Sequence, residues 1–229
     1  MKPRPLLLLL VLAACTGPRT APQADPPLPE ENTAASGGII TEYYENGNVR
    51  EKYTRIDGKL QGQYLRYHPN GDLDLSLFYK DNKPDGLYTW YYDSGNRVRS
   101  TQVFTDGERN SPLTVYYRDG MIKHIFGYSH DKMAGDIVSY YPNGQKQEEM
   151  HLGRPDTQDP ALNGLVRFYY ENGQISESFS YVNLKLEGPY RAYFPDGRVR
   201  REGQFSQGRR TGRWSTYEKD GTVSVYDYH

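Results

Sequence analysis

The chain has 229 residues, and its 28 basic and 29 acidic side chains give a formal net charge of −1. A single cysteine, Cys15, excludes an intramolecular disulfide and any CxxC metal or redox site. Aliphatic residues are scarce, but 22 tyrosines and a net charge near zero argue against a disordered chain.

Residues 1–14 have the three-part layout of a secretory signal peptide. Lys2 and Arg4 form a basic start, and residues 6–12 form a purely aliphatic run. The run is far shorter than the ~20 residues that a membrane-spanning helix needs. We therefore predict a cleaved signal peptide and not a transmembrane anchor.

The end of this segment, "LAAC", resembles the lipobox of bacterial lipoproteins. The resemblance implies that Cys15 is diacylated, becomes the first residue of the mature protein and receives a further acyl chain on its new amino terminus. Acyl chains of this kind would hold the protein on a membrane. Thr16 follows, in place of the aspartate of inner-membrane retention signals, so the resemblance implies the outer membrane facing the periplasm. An incidental cysteine beside an ordinary cleavage site is the alternative.

Residues 15–37 comprise the lipidated Cys15 and a tether. The stretch 16–36 contains five prolines and no aromatic residue, so it cannot bury a core and is predicted to be disordered.

Residues 38–229 contain eight copies of one pattern, which we number repeats 1–8 by a turn glycine. The spacings between these glycines are 24, 24, 25, 24, 29, 24 and 24 residues, and such a period indicates a repeat architecture. Asn-Gly-type pairs at the turns predict β-hairpins with two-residue loops. No stretch has a helical apolar period. The turn glycines are Gly47, Gly71, Gly95, Gly120, Gly144, Gly173, Gly197 and Gly221.

Aligning the copies defines three columns. The first tyrosine column, four residues before the turn glycine, is Tyr43, Tyr67, Tyr91, Tyr116, Tyr140, Tyr169, Tyr193 and Tyr217. The apolar column, three residues earlier, is Ile40, Tyr64, Tyr88, Leu113, Ile137, Val166, Tyr190 and Trp214. The second tyrosine column directly follows the first and comprises Tyr44, Tyr92, Tyr117, Tyr141, Tyr170 and Phe194, with His68 and Glu218 in the remaining copies.

These columns predict which side chains pack and which bind. The first tyrosine column never varies, so we expect it to be the buried spine, because every stacked copy must bury the same contact. The second tyrosine column does vary, so we expect it to be a partly exposed interaction face. The first tyrosine column and the apolar column are three residues apart, so either both faces of the sheet are packed or a bulge intervenes.

Together these features predict an all-β fold, an elongated antiparallel meander of about eight stacked 24-residue β-hairpin repeats. The "YYxNG" turn, the glycine five residues before the first tyrosine and the "DGKLQG" connection resemble the variant MORN repeat. Chains of this kind are often grouped as YwqK-type antitoxin components. The resemblance spans residues 38–229 and implies a protein-binding role.

A candidate basic patch lies near the carboxyl end and would suit an acidic protein or an anionic lipid head group, although a merely solvated face is the simpler interpretation. It comprises Arg198, Arg200, Arg201, Arg209, Arg210 and Arg213. The histidines show no metal-ligand spacing and no nucleophile motif is present, so we predict no catalytic residue, no metal and no cofactor.

The sequence favours a non-enzymatic, lipid-anchored envelope scaffold that binds another protein, with a toxin as one candidate partner in an immunity-like role. Nucleic acid is not expected behind an export signal, and the sequence assigns no oligomeric state. One alternative is a cell-wall or glycan-binding aromatic repeat module, although two tryptophans are few for an aromatic cage. Another is a structural envelope component.

Overall fold

The computed structural model describes residues 37–152 and 164–229. The predicted signal peptide, Cys15 and the tether up to residue 36 lie outside the described residues, as does the extra segment 153–163 of the longest repeat interval.

The described residues form nineteen β-strands and no helix, so none of them forms a helix long and apolar enough to cross a bilayer. The strands are β1 Gly38–Tyr43, β2 Val49–Ile56, β3 Lys59–Leu60, β4 Gly62–Tyr67, β5 Leu73–Lys80, β6 Lys83–Pro84, β7 Gly86–Tyr91, β8 Val98–Thr105, β9 Glu108–Arg109, β10 Leu113–Tyr116, β11 Ile122–Ser129, β12 Lys132–Tyr140, β13 Lys146–Leu152, β14 Gly164–Tyr169, β15 Ile175–Val182, β16 Lys185–Tyr193, β17 Val199–Ser206, β18 Arg209–Tyr217 and β19 Val223–Tyr228.

All strands belong to one open antiparallel sheet, and each repeat hairpin pairs with the next in chain order. The short strands β3, β6 and β9 extend the pairing at the connections between early repeats. In later repeats the same segment is continuous with the next strand, as in β12, β16 and β18. The predicted all-β meander of stacked hairpins is confirmed.

The turns differ from the predicted two-residue loops. In repeat 1 the Gly47 N–H donates to the Tyr44 carbonyl (3.0 Å) and the Tyr44 N–H donates to the Asn48 carbonyl (2.8 Å), which closes a three-residue loop. Gly47 alone in this loop has a positive φ, of 86°. Asn46 instead accepts the Asn48 N–H on its side-chain oxygen (3.1 Å). Repeat 3 has a loop one residue longer, which explains the 25-residue interval.

The two-residue loops occur instead at the connections between repeats. Ile56 pairs with Lys59 across Asp57 and Gly58, whose φ angles are 49° and 75°. Two consecutive positive φ values are the signature of a type I′ turn, whose twist matches that of the flanking strands. The same pattern recurs at the pairs Asp81–Asn82, Asp106–Gly107, His130–Asp131, Asn183–Leu184 and Gln207–Gly208.

The core lies on one face of the sheet, which we call the inner face. The apolar column forms it: Tyr64, Tyr88, Leu113, Ile137, Val166 and Trp214 are buried, and its other two members are half-buried. The first tyrosine column lies on the opposite, outer face, because three positions separate the two columns within one strand. A bulge is also present, since in seven hairpins the register shifts at the first tyrosine.

The prediction that the first tyrosine column is the buried spine is wrong. Tyr43 is 61% exposed, and the other seven members are half-buried. The apolar column, which accepts a tyrosine, an aliphatic residue or a tryptophan, provides the packing between repeats. Tyr64 shows this directly, since its ring stacks on Tyr53 (centroids 5.9 Å apart) and meets Tyr79 edge-on (5.8 Å).

Candidate functional site

The second tyrosine column joins each repeat to the next at the turn edge of the sheet. The Tyr44 hydroxyl donates to the carbonyl oxygen of Tyr67 in the following repeat (2.7 Å). Tyr92, Tyr117, Tyr141 and Tyr170 donate in the same way to the carbonyls of Tyr116, Tyr140, Tyr169 and Tyr193, at 2.6–2.8 Å. We call this series of bonds the hydroxyl ladder.

Turn asparagines form a second series of hydrogen bonds between repeats at this edge. The Asn46 side-chain amide donates to the Pro69 carbonyl of the next repeat (2.8 Å), and Asn143 and Asn172 make equivalent bonds to Glu171 and Pro195. An aspartate at the same position still stabilises the turn, as Asp119 does by accepting the Met121 N–H. It cannot donate a hydrogen bond to the next repeat, because a carboxylate has no N–H group.

The hydroxyl ladder changes the interpretation of the predicted interaction face. Its tyrosines are half-buried, Phe194 is buried, and every tyrosine hydroxyl bonds to the neighbouring repeat. The second tyrosine column connects repeats through its hydroxyls, and its use as an interaction face stays a prediction.

The outer face of repeats 2–4 has no charged side chain at its central positions. We call this set the uncharged outer patch. Its members are Gln63, Leu65, Tyr67, Ser76, Phe78, Leu87, Thr89, Tyr91, Thr101, Val103, Thr114 and Tyr116, on β4, β5, β7, β8 and β10.

Three apolar side chains of this patch are strongly exposed. Phe78, Leu87 and Val103 expose 47%, 51% and 43% of their surface. Leu87 lies directly across from Val103, and the backbone of Gly86 lies against Phe78, so the three form one apolar row. Hydroxyl side chains run beside them, because Ser76 pairs with Thr89 and Thr101 pairs with Thr114.

An open groove of about 750 Å³ lies where this patch meets the turn edge. Val98, Thr101 and Tyr116 form its wall, and Arg97 and Arg118 form its basic rim, with Asp119 and Gly120. Arg118 lies over the ring of Tyr92 (4.6 Å) and pairs with Asp93 (2.8 Å), so the rim is held in place from the preceding repeat.

Repeats 5–8 carry charges at the matching outer positions. Arg167 bonds Glu149 across β14 and β13 (2.8 Å), and Arg191 pairs with Glu202 across β16 and β17 (3.5 Å). Partial burial opposes ionisation of Glu149, but bonds from Lys146, Tyr169 and Arg167 lower its pKa to about 2. We call Glu149, Arg167, Arg191 and Glu202 the charged outer patch.

Six segments of the chain match a family model described as the MORN repeat variant. The matched residues are 37–57, 60–81, 84–101, 135–152, 162–183 and 186–207, which together cover more than half of the chain. This chain belongs to the MORN repeat variant family. Repeats 4 and 8 lie outside the matched segments, yet their hairpins β10–β11 and β18–β19 pair as the other variant MORN repeats do. No curated protein matches the chain.

The candidate basic patch is divided among several surfaces of the variant MORN sheet. Arg200 is the bulged residue of β17, and its side chain lies on the inner face near Glu177, as does that of Arg201, which bonds Thr216. Arg210 lies over the inner-face Trp214 ring (4.6 Å), while Arg198 pairs with Asp196 in a turn (2.9 Å). The remaining members, Arg209 and Arg213, are exposed on β18. The structure therefore does not gather the six arginines into one surface.

The inner face of repeats 4 and 5 holds polar groups that the sequence did not single out. The His124 ring nitrogen and the Ser139 hydroxyl are 2.9 Å apart, and Glu148 pairs with Ser139 on the next strand. Burial raises the pKa of Glu148, which is 4% exposed, to about 7. Burial, with the charge of Lys123, lowers the pKa of His124 to about 4.

This inner-face cluster is not built for nucleophilic catalysis. Ser139 is 1% exposed, so its hydroxyl is not accessible to a substrate. Within residues 37–152 and 164–229, no group of three His, Cys, Asp or Glu side chains could hold a metal ion. The surface with the clearest capacity to bind is the uncharged outer patch.

Proposed function

We propose that this protein is a non-enzymatic, lipid-anchored scaffold of the bacterial envelope that binds a protein partner through the uncharged outer patch. The observation that carries the proposal is the contiguous row of Phe78, Leu87 and Val103 on a face with no charged side chain at its central positions. Depletion of charged residues at the centre is what distinguishes protein interfaces from other surface, and contiguous exposed apolar patches mark interaction sites.

The sheet suits this role because its binding face is already formed. Hydrogen-bonded strands hold the row in place, so little ordering entropy is lost when a partner docks. Covering the three side chains removes apolar surface from water at roughly 25 cal/mol per Å². A charged partner group at the centre would lose its hydration without gaining a counter-charge, so the partner surface should be apolar with hydroxyl or amide groups.

The groove beside the patch would admit one exception to this rule. Arg97 and Arg118 lie at its rim, next to Val98 and Tyr116. A carboxylate at the margin of the partner's apolar surface would meet these guanidinium groups, where rim charges steer association more than they add affinity.

The anchor is part of the same proposal and rests on the resemblance of "LAAC" to a lipobox. Acylation at Cys15 would place the repeats at the membrane surface, with residues 16–36 as the tether. A Cys15→Ala variant should then leave the membrane fraction or accumulate unprocessed. Unchanged processing and membrane retention would refute the anchor without affecting the binding patch.

Within the scaffold role, the resemblance to YwqK-type antitoxin components supports an immunity-like function in the periplasm. Binding through a rigid, apolar face is compatible with tight neutralisation of a toxin. If the partner is a toxin, cells that express the wild-type chain should survive exposure to it, and cells that express a Leu87→Asp variant should not.

Site-specific photo-crosslinking in living cells tests the binding surface. A photo-reactive amino acid at Leu87 should crosslink to a discrete protein, and the same group at Arg191, in the charged outer patch, should not. The crosslinked protein is then purified and its affinity for the full-length chain is measured with and without Leu87→Asp. A buried anchor residue of an interface contributes about 2 kcal/mol or more, so affinity should fall roughly 30-fold.

Two outcomes would contradict the assignment. Equal crosslinking at Leu87 and Arg191 would show that the outer face has no preferred region. An affinity that Leu87→Asp leaves unchanged, in a variant with wild-type thermal stability, would move the interface to another surface.

A further inference from the structure

The first tyrosine column remains unexplained by the packing of the repeats. All eight copies have tyrosine there, yet none of the eight is buried. The hydroxyl ladder uses only their backbone carbonyls, which any residue could supply. Neither burial nor the ladder therefore accounts for a tyrosine side chain in every repeat.

Packing against other aromatic rings does not explain these tyrosines either. Across the part of the chain that the structure describes, no ring of the column stacks on another aromatic ring or lies against a cation. Three of their hydroxyls, by contrast, are held. Tyr169 donates to Glu149 (2.6 Å), Tyr217 donates to Glu202 (3.0 Å), and the Tyr116 and Thr101 hydroxyls are 3.3 Å apart. In these three repeats the bonds fix the ring position on the outer face and leave the ring surface half-exposed.

The spacing of the column is set by the sheet. Tyrosines of successive repeats are two strands apart, which places them roughly 10 Å from each other. This is close to the length of one disaccharide unit in a β-1,4-linked glycan. A tyrosine row with this period would meet every second sugar of an extended chain from the same side.

We propose that the first tyrosine column is a binding track for a linear β-1,4-linked glycan. The axial C–H groups of a β-linked sugar ring form an apolar face that packs on an aromatic ring, and the phenol edge provides a polar group beside it. Neighbouring hydroxyls and carboxylates, such as Thr114 and Glu149, lie beside the row and can accept or donate to equatorial sugar hydroxyls.

Charge along the track fits a neutral polymer. In repeats 2–4 the cross-strand pairs Ser76–Thr89 and Thr101–Thr114 beside the tyrosines are uncharged, and the charges of Arg97, Arg118 and Asp119 lie at the turn edge. In repeats 5–7 Glu149 pairs with Arg167 and Lys146, and Glu202 pairs with Arg191, so each of these charges has an opposite charge beside it. A flat row also needs no aromatic cage, so the small number of tryptophans does not count against it.

The track extends beyond the proposed protein interface. Tyr140, Tyr169 and Tyr193 lie in repeats 5–7, outside the uncharged outer patch. Substitutions at these three positions therefore test glycan binding without altering the Phe78, Leu87 and Val103 row. The two proposals can fail separately.

Co-sedimentation with insoluble polysaccharide is the test, with full-length protein purified in detergent and chitin, cellulose and peptidoglycan sacculi as probes. Wild-type protein should sediment with at least one of them. The triple variant Tyr140→Ala, Tyr169→Ala and Tyr193→Ala should bind about tenfold more weakly, or not at all. The matched triple phenylalanine variant keeps the rings and should stay within about twofold of wild type. Leu87→Asp should sediment as wild type.

The probes also identify the source of the glycan. Tyrosine-dependent sedimentation with both chitin and sacculi assigns recognition to their shared N-acetylglucosamine backbone, and added binding to cellulose extends it to β-1,4-linked glucans. Sedimentation with none of the three overturns the proposal. So does sedimentation that the alanine variant retains at full strength, since binding would then depend on other groups, such as the stem peptides of sacculi. Thermal unfolding of both triple variants verifies that they are folded.

Discussion

The outer faces of repeats 2–4 and of repeats 5–8 have different chemistry although they are built on the same hairpin. In the first region the central row runs through Ser76, Thr89, Thr101 and Thr114, and the exposed apolar side chains lie beside it. In the second, Glu149 and Arg167 occupy the matching positions and bond to each other. The inner apolar column is the same in both.

This difference shows that the repeat separates its structural positions from its recognition positions. The inner column and the turns hold the sheet together in every copy, and the ladder adds bonds in five of them, so the outer positions can vary without loss of the fold. Sites grafted onto a constant scaffold are how repeat proteins acquire distinct functions.

The shared core should give the largest effect on stability. Tyr64→Ala removes a ring that is 1% exposed and packed against Tyr53 and Tyr79. We expect it to reduce the free energy of unfolding by about 3–5 kcal/mol, as large-to-small aromatic substitutions in cores do. Tyr67→Ala, three residues along the same strand but half-buried on the outer face, should cost less than half as much. Urea unfolding measures the loss of unfolding free energy in both variants. A larger loss for Tyr67→Ala would show that the outer face, and not the inner face, is the packed one.

The next largest effect should be a pH dependence of stability, which the buried Glu148 carboxyl causes. The pKa of Glu148 is about 7 in the folded protein and 4.5 as its ordinary value. Stability from the neutral carboxyl is therefore complete below pH 4.5 and is lost as pH rises through 7. The full change is on the order of 3 kcal/mol.

Glu148→Gln should remove this dependence. The difference in unfolding free energy between variant and wild type, measured from pH 5 to pH 8, should favour the variant increasingly as pH rises. The His124 contribution, which is lost as pH falls from 6.5 to about 4, is present in both proteins and cancels. A difference that stays flat across this range would mean that Glu148 is solvated in the folded state.

Removing a polar group from the central row should reduce the free energy of unfolding more in repeats 5–8 than in repeats 2–4. Glu149→Ala deletes an acceptor that receives bonds from Lys146, Arg167 and Tyr169. We expect a loss of roughly 1–2 kcal/mol after allowance for partial solvent exposure. Thr101→Ala, in the equivalent column, should cost less than about 1 kcal/mol. Added salt should reduce the Glu149 effect and leave the Thr101 effect unchanged, because only the former is ionic. Equal costs at both salt concentrations would remove the distinction.

The smallest predicted effect is a gain. Phe194 occupies the second tyrosine column in repeat 7 and has no hydroxyl to donate to the Tyr217 carbonyl. Phe194→Tyr should supply the missing bond and stabilise the protein by about 0.5–1.5 kcal/mol. Tyr117→Phe, which removes an existing bond of 2.8 Å, is the matched control and should destabilise by a similar amount. Thermal unfolding measures both, and a destabilising Phe194→Tyr would show that the buried ring leaves no room for the hydroxyl.

Much of the fold could be predicted from the sequence because eight internal copies reveal which positions recur. Period, strands, hairpins and meander order follow from the spacing of the turn glycines. The turn type did not follow, because an Asn-Gly pair is compatible with a three-residue loop in which Asn46 caps the backbone and only Gly47 is left-handed. The true two-residue turns use pairs as different as Asp57–Gly58 and Asn183–Leu184.

The role of the second tyrosine column between repeats could not be predicted for a different reason. The second tyrosine column looked variable, and thus available, because a hairpin considered alone contains no acceptor for Tyr117. Its acceptor, the Tyr140 carbonyl, lies 23 residues away in the next repeat. Likewise, Glu148 and His124 occupy a repeat position that is filled by Leu75 and Arg201 in other copies. Because the residue type at this position varies, the sequence did not identify it as an inner-face position. Contacts between repeats, and not within them, decide both cases.

The hydroxyl ladder ends at the bond from Tyr170 to Tyr193, because Phe194 in repeat 7 and Glu218 in repeat 8 have no hydroxyl to donate. Glu218 replaces the donor tyrosine, and Asp220 replaces the donor asparagine while still accepting the Thr222 N–H to close its own turn. Every internal repeat with both donors makes its own hydrogen bonds to the repeat that follows it. Duplication or loss of one whole internal period would therefore leave the same hydrogen bonds on both sides, and the array can change length during evolution without a new interface.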